Sequence, residues 1–129
     1  MIYRFPITTP ANTTEENRLE TRLPLMKGVI HKLEIYFPPG AQMLHHIRIL
    51  DALHQCWPTN SDESFACDNF TIAFREHLYL KEEPYELIVY TWNDDDTHDH
   101  TLVIRLGILR LKYIAPWLLS WREKITSSE

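Results

Sequence analysis

The sequence predicts an all-β fold, a single domain built as one antiparallel β-sandwich. Three observations predict it. Apolar and polar residues alternate with period two in several separate runs. Proline, glycine and Asn/Asp clusters end those runs. Almost no helical periodicity lies between them, so there is no room for the crossover helices of a parallel sheet. The length of 129 residues fits one domain, and a hydrophobic share of 44% supplies a packed core.

Residues 2–7 are β-prone but contain Pro6, which cannot donate to a central ladder, so they read as an edge strand or an extended arm. A polar loop follows over 8–17, and 21–26 suit an edge before Gly28. Residues 29–37 place Val29, Leu33, Ile35 and Phe37 on one face and Lys32, Glu34 and Tyr36 on the other, then stop at Pro38-Pro39-Gly40. In 44–50, Ile47 and Ile49 oppose Leu44, His46, Arg48 and Leu50. A loop over 57–62 precedes 69–74, where Phe70, Ile72 and Phe74 share a side. After Pro84, residues 85–92 set Leu87 and Val89 against Ile88, Tyr90 and Trp92. The longest run, 100–109, aligns Leu102, Ile104, Leu106 and Ile108. A short acidic turn joins these last two runs and predicts an antiparallel hairpin. Strands so spaced suit a sandwich or jelly roll.

The C-terminus departs from the pattern. Pro116 suits a first helical turn, and Trp117, Leu118, Trp121 and Ile125 follow on one helical stripe. A short helix is expected there, either closing the core or docking on a partner through its tryptophans. The expected organisation is an N-terminal arm or edge strand with its loop over 1–20, a sandwich over 21–112 and a Trp-containing tail over 113–129.

Composition removes several function classes. The net charge is −5, from 13 basic and 18 acidic residues, and the basic ones are scattered singly along the strands, which argues against nucleic acid as a partner. No apolar stretch approaches the roughly 18–20 residues of a membrane span. The opening MIYRFPITTP lacks the plan of a secretory signal, so synthesis in the cytoplasm without a signal peptide is expected. Cys56 and Cys67 then read as free thiols in preference to a disulfide.

Chemistry-bearing residues are few. His98 and His100 stand two apart, so a strand would aim both rings to one face, with Asp96 as a third candidate metal ligand. The acidic turn from Asp94 to Asp99 has oxygens for calcium but not the spaced acidic loop with its closing glutamate. Asp and Asn also favour turns through their own backbone bonding, so a solvated turn is the stronger reading and no cofactor is expected. Cys56 lies near His54 without the setting of a nucleophile, and no G-x-S-x-G elbow, phosphate loop or H-E-x-x-H is present. The expectation is a chain that catalyses nothing.

Four short stretches carry a resemblance: Lys27-Gly28-Val29-Ile30, Phe37-Pro38-Pro39-Gly40, the segment from Gln55 through Pro58, and Trp92-Asn93-Asp94-Asp95 followed by His100. Together they resemble small β-sandwich auxiliary virion proteins of tailed bacteriophages, of the head-decoration (cement) or connector type. The resemblance spans about two thirds of the chain and leaves out the Trp-rich tail. It implies a jelly-roll-like subunit of the virion that forms homo-oligomers, trimers foremost, and binds neighbouring structural subunits. Ile2, Tyr3 and Phe5 of the arm, with Trp117, Leu118, Trp121 and Ile125 of the tail, are the expected partner-binding residues. Two alternatives stand beside it. One is a carbohydrate-binding module that stacks sugars on exposed Trp57, Trp92 or Tyr90; the other is a cupin-like metal enzyme using His98 and His100.

Overall fold

Period-two alternation becomes eight strands in the computed structural model, which describes residues 1–110. They are β1 (Ile2–Thr9), β2 (Leu19–Pro24), β3 (Gly28–Phe37), β4 (His45–Asp51), β5 (His54–Trp57), β6 (Phe70–Leu80), β7 (Glu86–Asn93) and β8 (His100–Leu109). Two four-stranded antiparallel sheets result, one ordered β1-β8-β3-β6 and the other β2-β7-β4-β5. The helix expected over 113–125 lies outside the described residues.

The core is the space between the sheets. Leu33, Ile35 and Phe37 of β3 and Leu102, Ile104, Leu106 and Ile108 of β8 meet Ile47 and Ile49 of β4 and Leu87 and Val89 of β7, all without solvent exposure. These inward faces are the ones the alternation predicts. Among the described residues no helix is long and apolar enough to cross a membrane.

Three features depart from the sequence reading. The expected hairpin between the last two long strands does not form: β7 pairs with β2 and β4, whereas β8 pairs with β1 and β3 in the opposite sheet. The acidic turn therefore crosses the end of the sandwich, and local sequence does not distinguish such a crossing from a hairpin turn. Within β3 a bulge between Ile30 and Lys32 inverts the alternation, so that Ile30, and not Val29, joins the central cluster. The short strand β5 lies where no alternation marked one, and β6 runs on to Leu80. Residues 2–7, expected as an arm or an edge strand, form an edge strand paired with β8 along its whole length, Ile2 with Gly107 through Thr9 with His100.

Strand polarity gives the sandwich two ends. At one, the loops over 10–18, 38–44, 58–69 and 94–99 meet. Asn12 N–H donates to the Asp95 carbonyl (2.8 Å), Asp94 N–H to the Leu44 carbonyl (2.9 Å) and Gly40 N–H to the Asp68 carboxylate (2.9 Å). At the other, the Met1 amino group donates to the Ile108 carbonyl at 2.8 Å and Ile108 N–H returns to the Met1 carbonyl at 2.7 Å.

Gly28 begins β3 at that second end, and a Cβ there would sit 2.5 Å from the Leu109 carbonyl oxygen and 2.8 Å from Ile108 Cγ2. The nearest obstacle is backbone, which has to shift. Gly28→Ala is expected to destabilise the fold by about 2 kcal/mol, read as a lower urea midpoint at unchanged slope.

Candidate functional site

The loop end gathers most of the polar side chains that sequence reasoning singled out. Thr9, His45, Thr91 and Asn93 are fully buried there. Thr9 Oγ1 donates to Thr91 Oγ1 at 2.9 Å, so its lone pair accepts from His45 Nε2 at 2.8 Å and the imidazole is the neutral Nε2–H form. His45 Nδ1 is buried and has no hydrogen-bond partner. A charge placed there would be desolvated, and burial, reinforced by His100 and His46, pushes the His45 pKa down to about 4. Parity with Ile47 and Ile49 is the sequence signal that puts this histidine on the inward face.

Asn93 ties the acidic turn down. Its amide donates to the carbonyls of Thr9 (3.2 Å) and His98 (2.9 Å) and accepts from Asp95 N–H (3.0 Å). The four turn aspartates are all bonded within this end of the molecule. Asp94 meets His46 Nε2 at 3.0 Å and Asp99 accepts from Ala11 N–H at 2.8 Å. Asp96 accepts the Thr97 hydroxyl at 2.8 Å. Asp95 accepts from Thr97 N–H at 2.9 Å and pairs with His100 Nε2 at 2.8 Å. The bond from Thr97 N–H, with the one from His100, holds the Asp95 carboxyl below its ordinary value.

His98, His100 and Asp96 are thus not brought together as ligands. His100 is committed to Asp95, Asp96 to Thr97, and His98 is exposed. Among the described residues no group of three His, Cys, Asp or Glu side chains is arranged to hold a metal ion. Cys56 and Cys67 are free and half-buried, and burial raises both thiols.

A second cluster lies on the outer face of the β2-β7-β4-β5 sheet, beneath the loops. Trp92 is only 4% exposed; His46 stacks on it at 5.1 Å and 2° between planes, and the Arg48 guanidinium lies 5.0 Å from its centroid. Arg48 is itself buried and donates to the carbonyls of Asp62 (2.7 Å) and Glu63 (3.1 Å) and to the Glu15 carboxylate (3.0 Å). His46 Nδ1 lies 2.9 Å from the Ser64 hydroxyl. The clasp pins three loops, and nothing local in the sequence marks it, because its members come from four separate segments. Trp57 is 5% exposed and bonded through Nε1 to Glu76, while Tyr90 lies under Arg18. Neither tryptophan offers a face for a sugar ring, so the stacking platform of the carbohydrate reading is absent from these two residues.

The outer face of the β1-β8-β3-β6 sheet is different in kind. Of the partner-binding residues expected from sequence, Tyr3 and Phe5 point inward, stacked at 5.9 Å against the core, whereas Ile2 points out and is 82% exposed. Met1 and Leu109 are exposed beside it. Trp117, Leu118, Trp121 and Ile125 lie outside the described residues. His31, the extra residue of the β3 bulge, lies on this face over Gly107, where an added Cβ would come within 2.7 Å of its Nε2. Burial, then the α-amino group, Arg75, His77 and Lys32, depress its pKa. No protein-family model and no curated protein matches this chain.

Proposed function

We propose that this chain is a jelly-roll subunit that works by assembly and not by catalysis. Its specific form is an auxiliary virion protein, of the capsid-decoration or connector type, that forms homo-oligomers and binds neighbouring structural subunits. The jelly-roll reading draws support from the pairings. β1–β8, β2–β7, β3–β6 and β4–β5 are the rungs of one long antiparallel ribbon, and rolling that ribbon adds β3–β8 and β4–β7. Two sheets of four strands follow from that roll.

One observation carries the assembly reading. The exposed apolar residues Met1, Ile2 and Leu109 stand together at the end of the sandwich where the chain continues into residues 111–129. That continuation holds Trp117, Leu118, Trp121 and Ile125, the kind of large side chains that anchor subunit contacts. A trimer is the favoured oligomer.

Sedimentation velocity of the full chain and of a chain lacking residues 116–129 tests this. The expected result is an oligomer for the first and a folded monomer with an unchanged β-type circular-dichroism spectrum for the second. A full chain that stays monomeric at every concentration overturns the assembly reading. A shortened chain that unfolds places the tail in the core and removes its docking role.

A further inference from the structure

Resting on the assembly reading, we infer that copies of this chain meet head to tail. The basic half of the outer β1-β8-β3-β6 face of one copy receives the acidic loop end of the next.

The register builds the basic half. Arg4 stands directly opposite Arg105, and in the adjoining row Lys32 stands directly opposite Arg75. Like charges facing one another across strands oppose pairing. Two such pairs lie side by side, with the Met1 ammonium at their edge and His31 and His77 near them. One acid of the face answers them: Glu34, 3.0 Å from Lys32 and 3.2 Å from Arg105. Among the described residues Arg4 and Arg75 are in no ion pair, and both are exposed. Toward the loop end the same face carries only Pro6, Thr8, Tyr36, Thr71, Thr101 and Val103. The positive charge is therefore confined to the half nearest Met1.

The opposite end is its complement. Its loops expose Glu15, Glu16, Asp62, Glu63 and Asp68 and, from the 94–99 turn, Asp94, Asp96 and Asp99, against Arg18. The chain as a whole carries −5, so the basic half runs against the overall balance. Glu82 and Glu83 lie toward the Met1 end, in the loop after β6, where they line a cleft of about 540 Å³ beside Arg22 and Lys81. Basic surface and acidic surface sit at different places on one molecule, so the contact joins unlike patches. Made once per neighbour, head to tail, such a contact closes into a ring or runs on as a filament.

The sign of the salt response separates this contact from apolar docking. Two chains of net charge −5 repel, so apolar association strengthens as salt screens them, whereas a contact between opposite charges weakens. Sedimentation velocity of the full chain is expected to show association weakening about tenfold or more from about 0.05 M to about 0.5 M salt. Arg4→Glu with Arg75→Glu, which brings the basic half to about neutral, is expected to abolish association at low salt, and Glu16→Lys with Asp96→Lys, which leaves the loop end acidic but less so, to weaken it, both with the circular-dichroism spectrum unchanged. Mixed in equal amounts, the two variants are expected to form pairs, because the unchanged basic half of the second meets the unchanged acidic end of the first.

Association that strengthens with salt, or variants that assemble as the unmodified chain does, overturn the head-to-tail contact and leave the assembly reading standing. An unmodified chain that is monomeric at all salt concentrations overturns both. A labelled DNA duplex gives the other arm. Duplex binding lost in Arg4→Glu/Arg75→Glu, with no self-association, assigns the face to a polyanion and overturns the contact between copies.

Discussion

Replacing Arg48 with alanine is expected to lower the unfolding free energy by about 3 kcal/mol, because it breaks a buried charged network from one side. The guanidinium reaches Asp62 O, Glu63 O and Glu15 together, and it covers one side of the Trp92 ring. Its loss leaves the Asp62 carbonyl without its donor and loosens the 58–69 loop around Asp62 and Glu63, which then hangs on Gln55, on the His46–Ser64 contact and on the pairing of Phe65 with Ile47. Arg48→Lys is expected to recover little, since one ammonium cannot reproduce the guanidinium's fork of donors. Urea unfolding measures the first effect. Limited proteolysis measures the second, with new cleavage expected near Glu63 in the folded variant. A variant that unfolds at the same urea concentration and resists protease would show that the loops are held by something else.

Acidification is expected to weaken the fold through His45. Its pKa in the fold is about 4, below the 6.5 of an unperturbed histidine. Between those values the unfolded chain takes up a proton that the folded chain refuses. Stability is therefore complete above about pH 6.5, falls as the pH drops toward about 4, and loses about 3 kcal/mol over that window from this one group. His31, also depressed, adds a slope of the same sign. Asp95, a carboxyl held low, contributes stability that disappears only at lower pH, as its own carboxylate protonates. His45→Gln keeps an N–H for Thr9 Oγ1 but has nothing to titrate, so its stability is expected to change much less between about pH 6.5 and 4. Equal pH slopes in the two proteins would remove His45 as the cause.

The inward faces are legible in the sequence because burial on one side of a strand imposes period two, as in Leu102 to Ile108 and in Ile47 and Ile49. Partner choice between strands is not. The turn after Asn93 has the composition of a hairpin loop, yet long-range pairing with β1 and β3 decides where β8 goes. The bulge at His31 is equally silent locally, since the space it needs is provided by Gly107 on another strand. β5 is four residues long and too short to show a period.

The same physics hides the surfaces. Arg4, Lys32, Arg75 and Arg105 look isolated along the chain, and only the register of four strands brings them to one face. Trp57 and Trp92 look like exposed platforms, yet Trp57 belongs to the core, packed on Phe74, and Trp92 lies under His46 and Arg48. Histidine content suggests ligands, yet His45, His46 and His100 are each spent on internal bonds.

The single inserted residue in β3 splits that strand into two segments of opposite phase. Before it, even-numbered Ile30 packs inward; after it, odd-numbered Leu33, Ile35 and Phe37 do. Removing His31 would close the bulge and leave Ile30, Leu33, Ile35 and Phe37 at every second position of one regular strand, all four still facing inward. What the inserted residue adds lies on the outer side of the sheet, where it seats an imidazole in the gap that Gly107 leaves open.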